Sequence, residues 1–86
     1  MKPRKLLERL RHGSCANVSF ADFTALVEAF GFRLGRSTGS HRIYFHDKAT
    51  RPLNLQPMHG DAKPYQIRQF LQMVTEFDLT MENREL

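Results

Sequence analysis

The 86-residue sequence predicts an α+β fold: a helix, a three-stranded antiparallel sheet and a second helix, with these helices on one sheet face and an extra helix at the amino end. Two observations predict it. Apolar residues recur at helical spacing near both ends of the chain and alternate with polar ones in between, and glycine or proline punctuates each change of period.

Residues 2–11 read as a short amphipathic helix with Leu6, Leu7 and Leu10 on one side and basic residues around it. His12-Gly13-Ser14 stops this helix, placing His12 near the negative end of its dipole. Residues 15–18 form a linker. Ser19 then has the form of an N-cap, its hydroxyl available to the free amides of the next turn, with Asp22 favoured by the dipole. Phe20, Phe23, Leu26, Val27 and Phe30 form a helical stripe, and Gly31 supplies the left-handed stop.

Residues 32–36 alternate as a half-buried strand does, residues 37–40 turn the chain, and residues 41–46 form a second strand. Tyr44 and Phe45 are neighbours and therefore point to opposite faces, one to the core and one outward; either could stack on a base. After a polar loop at 47–51, residues 52–57 alternate again, and Pro52 and Pro57 bracket a strand suited to an edge. A regular hairpin across that loop sets His46 opposite Pro52 and brings His41 near Pro57, so that His41 and His59 converge at one end of the sheet. Pro64 opens the last helix, where its missing amide costs nothing. Ile67, Phe70, Leu71, Val74 and Phe77 form its buried stripe, with Gln66, Gln69, Gln72 and Glu76 on the solvated side, and the acidic chain from Asp78 onward frays.

One domain of this size is expected, with 41% apolar residues and seven phenylalanines for its core. The single cysteine, Cys15, excludes an internal disulfide and suits a reducing compartment. No apolar run approaches the roughly 20 residues of a membrane span, and no signal-peptide core follows the basic start, so a soluble cytoplasmic protein is expected. The net charge of +4 is uneven. Residues 1–51 carry ten lysines or arginines against four acids, and residues 52–86 carry three against five. A one-sided basic surface favours a polyanion, although a solvated face with no partner has the same composition.

The chemistry-bearing segment is Arg36-Ser37-Thr38-Gly39-Ser40-His41-Arg42. A strand holds His41 rigidly while Gly39 leaves little steric cover beside it. No HExxH helix, cysteine pair or carboxylate cluster is present, and His46 falls on the other strand face from His41, so no metal or cofactor is expected. RNA can be cleaved without one, because the ribose 2′-hydroxyl is an internal nucleophile. Histidine, with an ordinary pKa of about 6.5, can move the protons near neutrality. Arg36, Arg42 and Lys63 would stabilise the developing charge, and Gly39 would admit the RNA backbone. The same His41 would equally serve as a strand cap or a phosphate contact.

Phe30-Gly31-Phe32, Gly39-Ser40-His41 leading into Arg42-Ile43-Tyr44-Phe45-His46, and Gln56-Pro57-Met58-His59-Gly60 together resemble the HicA toxins of bacterial toxin–antitoxin systems. The resemblance covers about residues 20–79. It implies a fold like the double-stranded RNA-binding domain, metal-independent cleavage of mRNA, inhibition of translation, and a hetero-oligomer with a HicB-type antitoxin covering the active face. By the same match His41 is catalytic, Gly39 and Ser40 shape its turn, and His59 occupies a second, supporting histidine position. The domain reading is an N-terminal extension at 1–18, a HicA-like ribonuclease domain at 19–79 and an acidic tail at 80–86. Lys63-Pro64-Tyr65-Gln66 departs from the basic glycine-threonine opening usual for the family's last helix, and the amino-terminal helix is additional. Two rivals remain: a non-catalytic module that grips structured RNA, and an interaction protein docking a partner through its first helix.

Overall fold

The computed structural model describes residues 1–82. Its elements run α1 (Pro3–Arg11), α2 (Phe20–Ala29), β1 (Arg33–Thr38), β2 (His41–Phe45), β3 (Leu53–Leu55) and α3 (Pro64–Glu76). The sheet is antiparallel with order β1-β2-β3, which gives the predicted α+β architecture, consistent with a double-stranded RNA-binding-domain-like arrangement plus one helix in front. No helix among the described residues is long and apolar enough to cross a membrane.

Each helix begins where its first residues dictate. Ser19 Oγ accepts the backbone N–H of Asp22 at 3.1 Å and caps α2. Proline stands in the first turn of both α1 and α3. At the other end of α1, His12 Nδ1 lies 2.7 Å from the carbonyl of Glu8, which it can only approach as a donor. The core centres on Phe70 of α3. Phe23 and Phe30 meet it edge-on at ring-centroid distances of 5.6 and 5.4 Å, and Phe32 packs at 6.0 Å. Leu6, Leu7 and Leu10 of α1 join the same cluster, as do Tyr44, Leu53 and Leu55 of the sheet.

The β2–β3 register pairs Tyr44 with Leu53 and Arg42 with Leu55. This is one residue away from the expected hairpin, and the physical reason is burial. A one-residue slip would set Tyr44 opposite Asn54 and mix core and solvent positions on one face. Tyr44 is thereby the inward aromatic and Phe45 the outward one, 46% exposed. The strand is also shorter than expected, because Pro52 and Pro57 have no amide to extend the ladder. Between Leu34 and Arg36 the β1–β2 register shifts at Gly35, and the Phe45 ring covers that glycine so closely that a Cβ there would lie 2.4 Å from it.

The chain beyond α3 does not fray at once. Leu79 is buried and its N–H donates to Val74 at 2.9 Å, while the N–H of Glu82 donates to Ala29 at 2.7 Å. Of the acidic tail expected at 80–86, residues 83–86 lie outside the described residues.

Candidate functional site

The β1–β2 hairpin pairs Thr38 with His41 through a two-residue turn, Gly39-Ser40. Gly39 has φ +60° and Ser40 does not share the left-handed region, the pattern of a type II′ turn, which matches the twist of the strands it joins. An added Cβ at Gly39 would meet nothing within 4 Å, so the glycine is required by the backbone angle and the turn is sterically open. His41 follows as the first residue of β2 and is exposed.

A hydrogen-bonded chain fixes the ground next to it. Ser40 Oγ accepts from Gln56 Nε2 at 3.1 Å, and Gln56 Oε1 accepts from Lys63 Nζ at 3.5 Å. The backbone N–H of Gln56 donates to Gln66 Oε1 at 3.1 Å, and Gln66 Nε2 donates to the Tyr65 hydroxyl at 3.3 Å. Gln66 is buried, not solvated as the polar pattern of the last helix suggested. Its spacing carried the missed signal: it lies four residues before Phe70 and therefore on the apolar stripe. Gln56 and Tyr65 were not singled out from sequence either.

Between β3 and α3 runs a groove of about 440 Å³, with His41, Gln56 and Tyr65 toward one end and Arg51 and Gln72 toward the other. Leu53, Leu55 and Met73 give it an apolar floor, and Asn54 and Gln69 are also in its walls. At the Arg51 end, the guanidinium binds both carboxylate oxygens of Glu76 at 3.0 and 2.7 Å and covers the Phe77 ring at 5.2 Å. That bidentate contact holds the Glu76 carboxyl below its ordinary range and pushes Arg51 up.

The remaining candidate residues are spread around this end of the sheet. Arg36 is exposed on β1 opposite Ile43. Arg42 is half-buried with its guanidinium carbon 5.5 Å from the centre of the Phe20 ring, and its Nε is buried without a partner among the described residues. Burial pushes the neighbouring Tyr44 hydroxyl up, Glu28 adds to the shift, and the Arg42 charge opposes it. His59 is exposed with φ +54° in a tight turn where Met58 and Asp61 exchange hydrogen bonds of 2.8 and 3.0 Å. That turn is fastened to the start of α2, through Phe20 N–H to the Gly60 carbonyl at 2.9 Å. His59 is not a wall of the groove that His41 lines. The register differs by one residue from the hairpin expected to bring His41 near Pro57, and the side chain of Gln56 bonds Ser40 in the turn before His41.

His46 has a structural post. Its Nε2 donates to the Phe30 carbonyl at 2.9 Å and its Nδ1 accepts the Lys48 N–H at 3.0 Å, which fixes the tautomer. Among the described residues no group of three or more histidine, cysteine, aspartate or glutamate side chains could hold a metal ion.

The family described as HicA toxin of bacterial toxin-antitoxin matches this chain over residues 20–74, from the first residue of α2 to the last turn of α3, leaving α1 outside the match. No curated protein matches the chain, and no solved structure does.

Proposed function

Because the chain belongs to the HicA toxin family and is the toxin of a bacterial toxin–antitoxin pair, we propose that it is a metal-independent endoribonuclease that cleaves mRNA in the cytoplasm and so inhibits translation. The observation that carries this reading is the exposed imidazole of His41, held on a strand beside an open glycine turn and lining a groove. His41 takes the proton of a ribose 2′-hydroxyl as general base. The resulting oxygen attacks the adjacent phosphorus, the bond to the 5′-oxygen breaks, and the leaving oxygen takes a proton from the imidazolium or from water. The product strand then ends in a cyclic phosphate. Positioned proton transfer contributes about a hundred- to ten-thousand-fold.

Lys63 and Arg36 are the phosphate contacts in this reading, with Gly39 and Ser40 letting the backbone approach. Arg42, engaged with Phe20, adds positive charge from within the hairpin. His59 supports the same end of the sheet from its turn. A HicB-type antitoxin is the protein partner, forming a hetero-oligomer that covers His41.

The test is cleavage of an mRNA by the purified chain in excess chelator. Fragments should accumulate with the native protein and fall by two to four orders of magnitude with His41→Ala. Full activity of that variant, or RNA that is bound and left intact by the native chain, rejects the proposal; the second result favours a non-catalytic RNA-binding module.

A further inference from the structure

The polar wall of the groove that His41 lines is mostly neutral amide, and its arginine, Arg51, is paired with Glu76. We propose that the groove is a nucleobase-recognition subsite, where a base of single-stranded RNA next to the scissile phosphate stacks on Tyr65 and offers its edge to Gln69 and Gln72. This deepens the ribonuclease reading and rests on it.

Tyr65 carries the stacking role. It is 50% exposed although its ring is large and apolar, and its hydroxyl is hydrogen-bonded to Gln66, whose own oxygen is occupied by the Gln56 amide. The hydroxyl is thereby tethered while half of the residue's surface stays open to a ligand. Gln69 and Gln72 are exposed, lie three residues apart on α3 and so share one side of the helix, and both line the groove. Each amide presents donors and an acceptor together, which suits the paired donors and acceptors of a base edge. A phosphate would need positive charge, and the Arg51 guanidinium in this groove is already held by Glu76. The apolar floor of Leu53, Leu55 and Met73 suits a flat, weakly hydrated ring. Unpaired bases of single-stranded RNA are read in this way, by aromatic stacking with hydrogen bonds to their edges.

The experiment measures binding of short 2′-O-methyl homopolymers of A, C, G and U to the full chain, over a range of salt. These ligands lack the 2′-hydroxyl nucleophile, so affinity is read whether or not His41 is catalytic. Survival of cleavage in His41→Ala would overturn the catalytic role of His41, and RNA left intact by the native chain would overturn the ribonuclease reading, in both cases without changing these affinities. Tyr65→Ala should weaken binding about tenfold or more while Tyr65→Phe retains it. Gln69→Ala should change the order of preference among the four bases. Neither should alter the slope of log affinity against log salt, because neutral groups release no counterions. Parental affinity and preference in Tyr65→Ala and Gln69→Ala, or a flattened salt slope in Tyr65→Ala, overturns the subsite. So does loss of antitoxin binding in Tyr65→Ala with RNA binding intact, which would assign the groove to the protein partner.

Discussion

The side chain of Gln66 holds the backbone of Gln56: its Oε1 accepts the Gln56 N–H across 3.1 Å, joining α3 to the chain just beyond β3. Gln56 in turn bonds Ser40, directly before His41, so the helix, the third strand and the glycine turn form one hydrogen-bonded unit. The setting of His41 thus depends on a buried amide two elements away.

Replacing Gln66 by alanine leaves the Gln56 amide unpaired and should cost about 1–3 kcal/mol. In a domain of this size each kcal/mol lowers Tm by about 4–8 °C, which calorimetry resolves. Gln69→Ala, on the exposed side of α3, should stay within about 0.5 kcal/mol. An unshifted Tm for Gln66→Ala would show that the amide carries no stability.

Arg36, Lys63 and Arg42 should separate by salt dependence. Loss of a phosphate contact on single-stranded RNA reduces the salt slope by about 0.7, and Arg36→Ala and Lys63→Ala should each show that change. Arg42→Ala should instead lower thermal stability, since its guanidinium packs on Phe20 next to buried Tyr44. A slope change for Arg42→Ala equal to that of Lys63→Ala would place its head group on RNA.

The Arg51–Glu76 pair predicts a pH effect with a definite sign. Glu76 is held below its ordinary value of 4.5 by Arg51, so the pair stabilises the fold above that pH and loses its effect as pH falls through the lowered value. Wild type should therefore melt above Glu76→Gln at neutral pH, with the gap closing in acid. Thermal melts across pH 7 to about 2 read this directly, and a gap that widens in acid contradicts it.

Leu6 lies outside the segment that matches the family yet is 1% exposed. Leu6→Ala should cost about 2–5 kcal/mol, as any core leucine does. A loss below about 1 kcal/mol would mean that α1 is an appendage whose leucines add little. Denaturant unfolding of the full chain measures it.

Much of this architecture was legible in the residues. Helical and alternating periods located every element, Ser19 and Pro64 marked helix starts, and the Gly39-Ser40 turn was visible as a turn. What failed was the pairing of β2 with β3, because loop length alone leaves the register open by one residue, and only the need to bury Tyr44 with Leu53 and Leu55 settles it. That slip set Gln56, not Pro57, opposite the start of β2, where its side chain bonds Ser40. Gln66 was misread because amide character was weighed above position, although its place four residues before Phe70 was the stronger signal. Arg42 could not be located from charge, since a guanidinium over an aromatic ring looks the same in sequence as one offered to solvent.

The two prolines around β3 have a consequence for concentrated protein. An outer strand normally offers a row of spare amides on which another chain can grow a ladder. Here only Leu53, Asn54 and Leu55 form the strand; Pro52 before it has no hydrogen to give, the Gln56 N–H after it is taken by Gln66, and Pro57 follows. That side of the molecule is a poor template for fibrils.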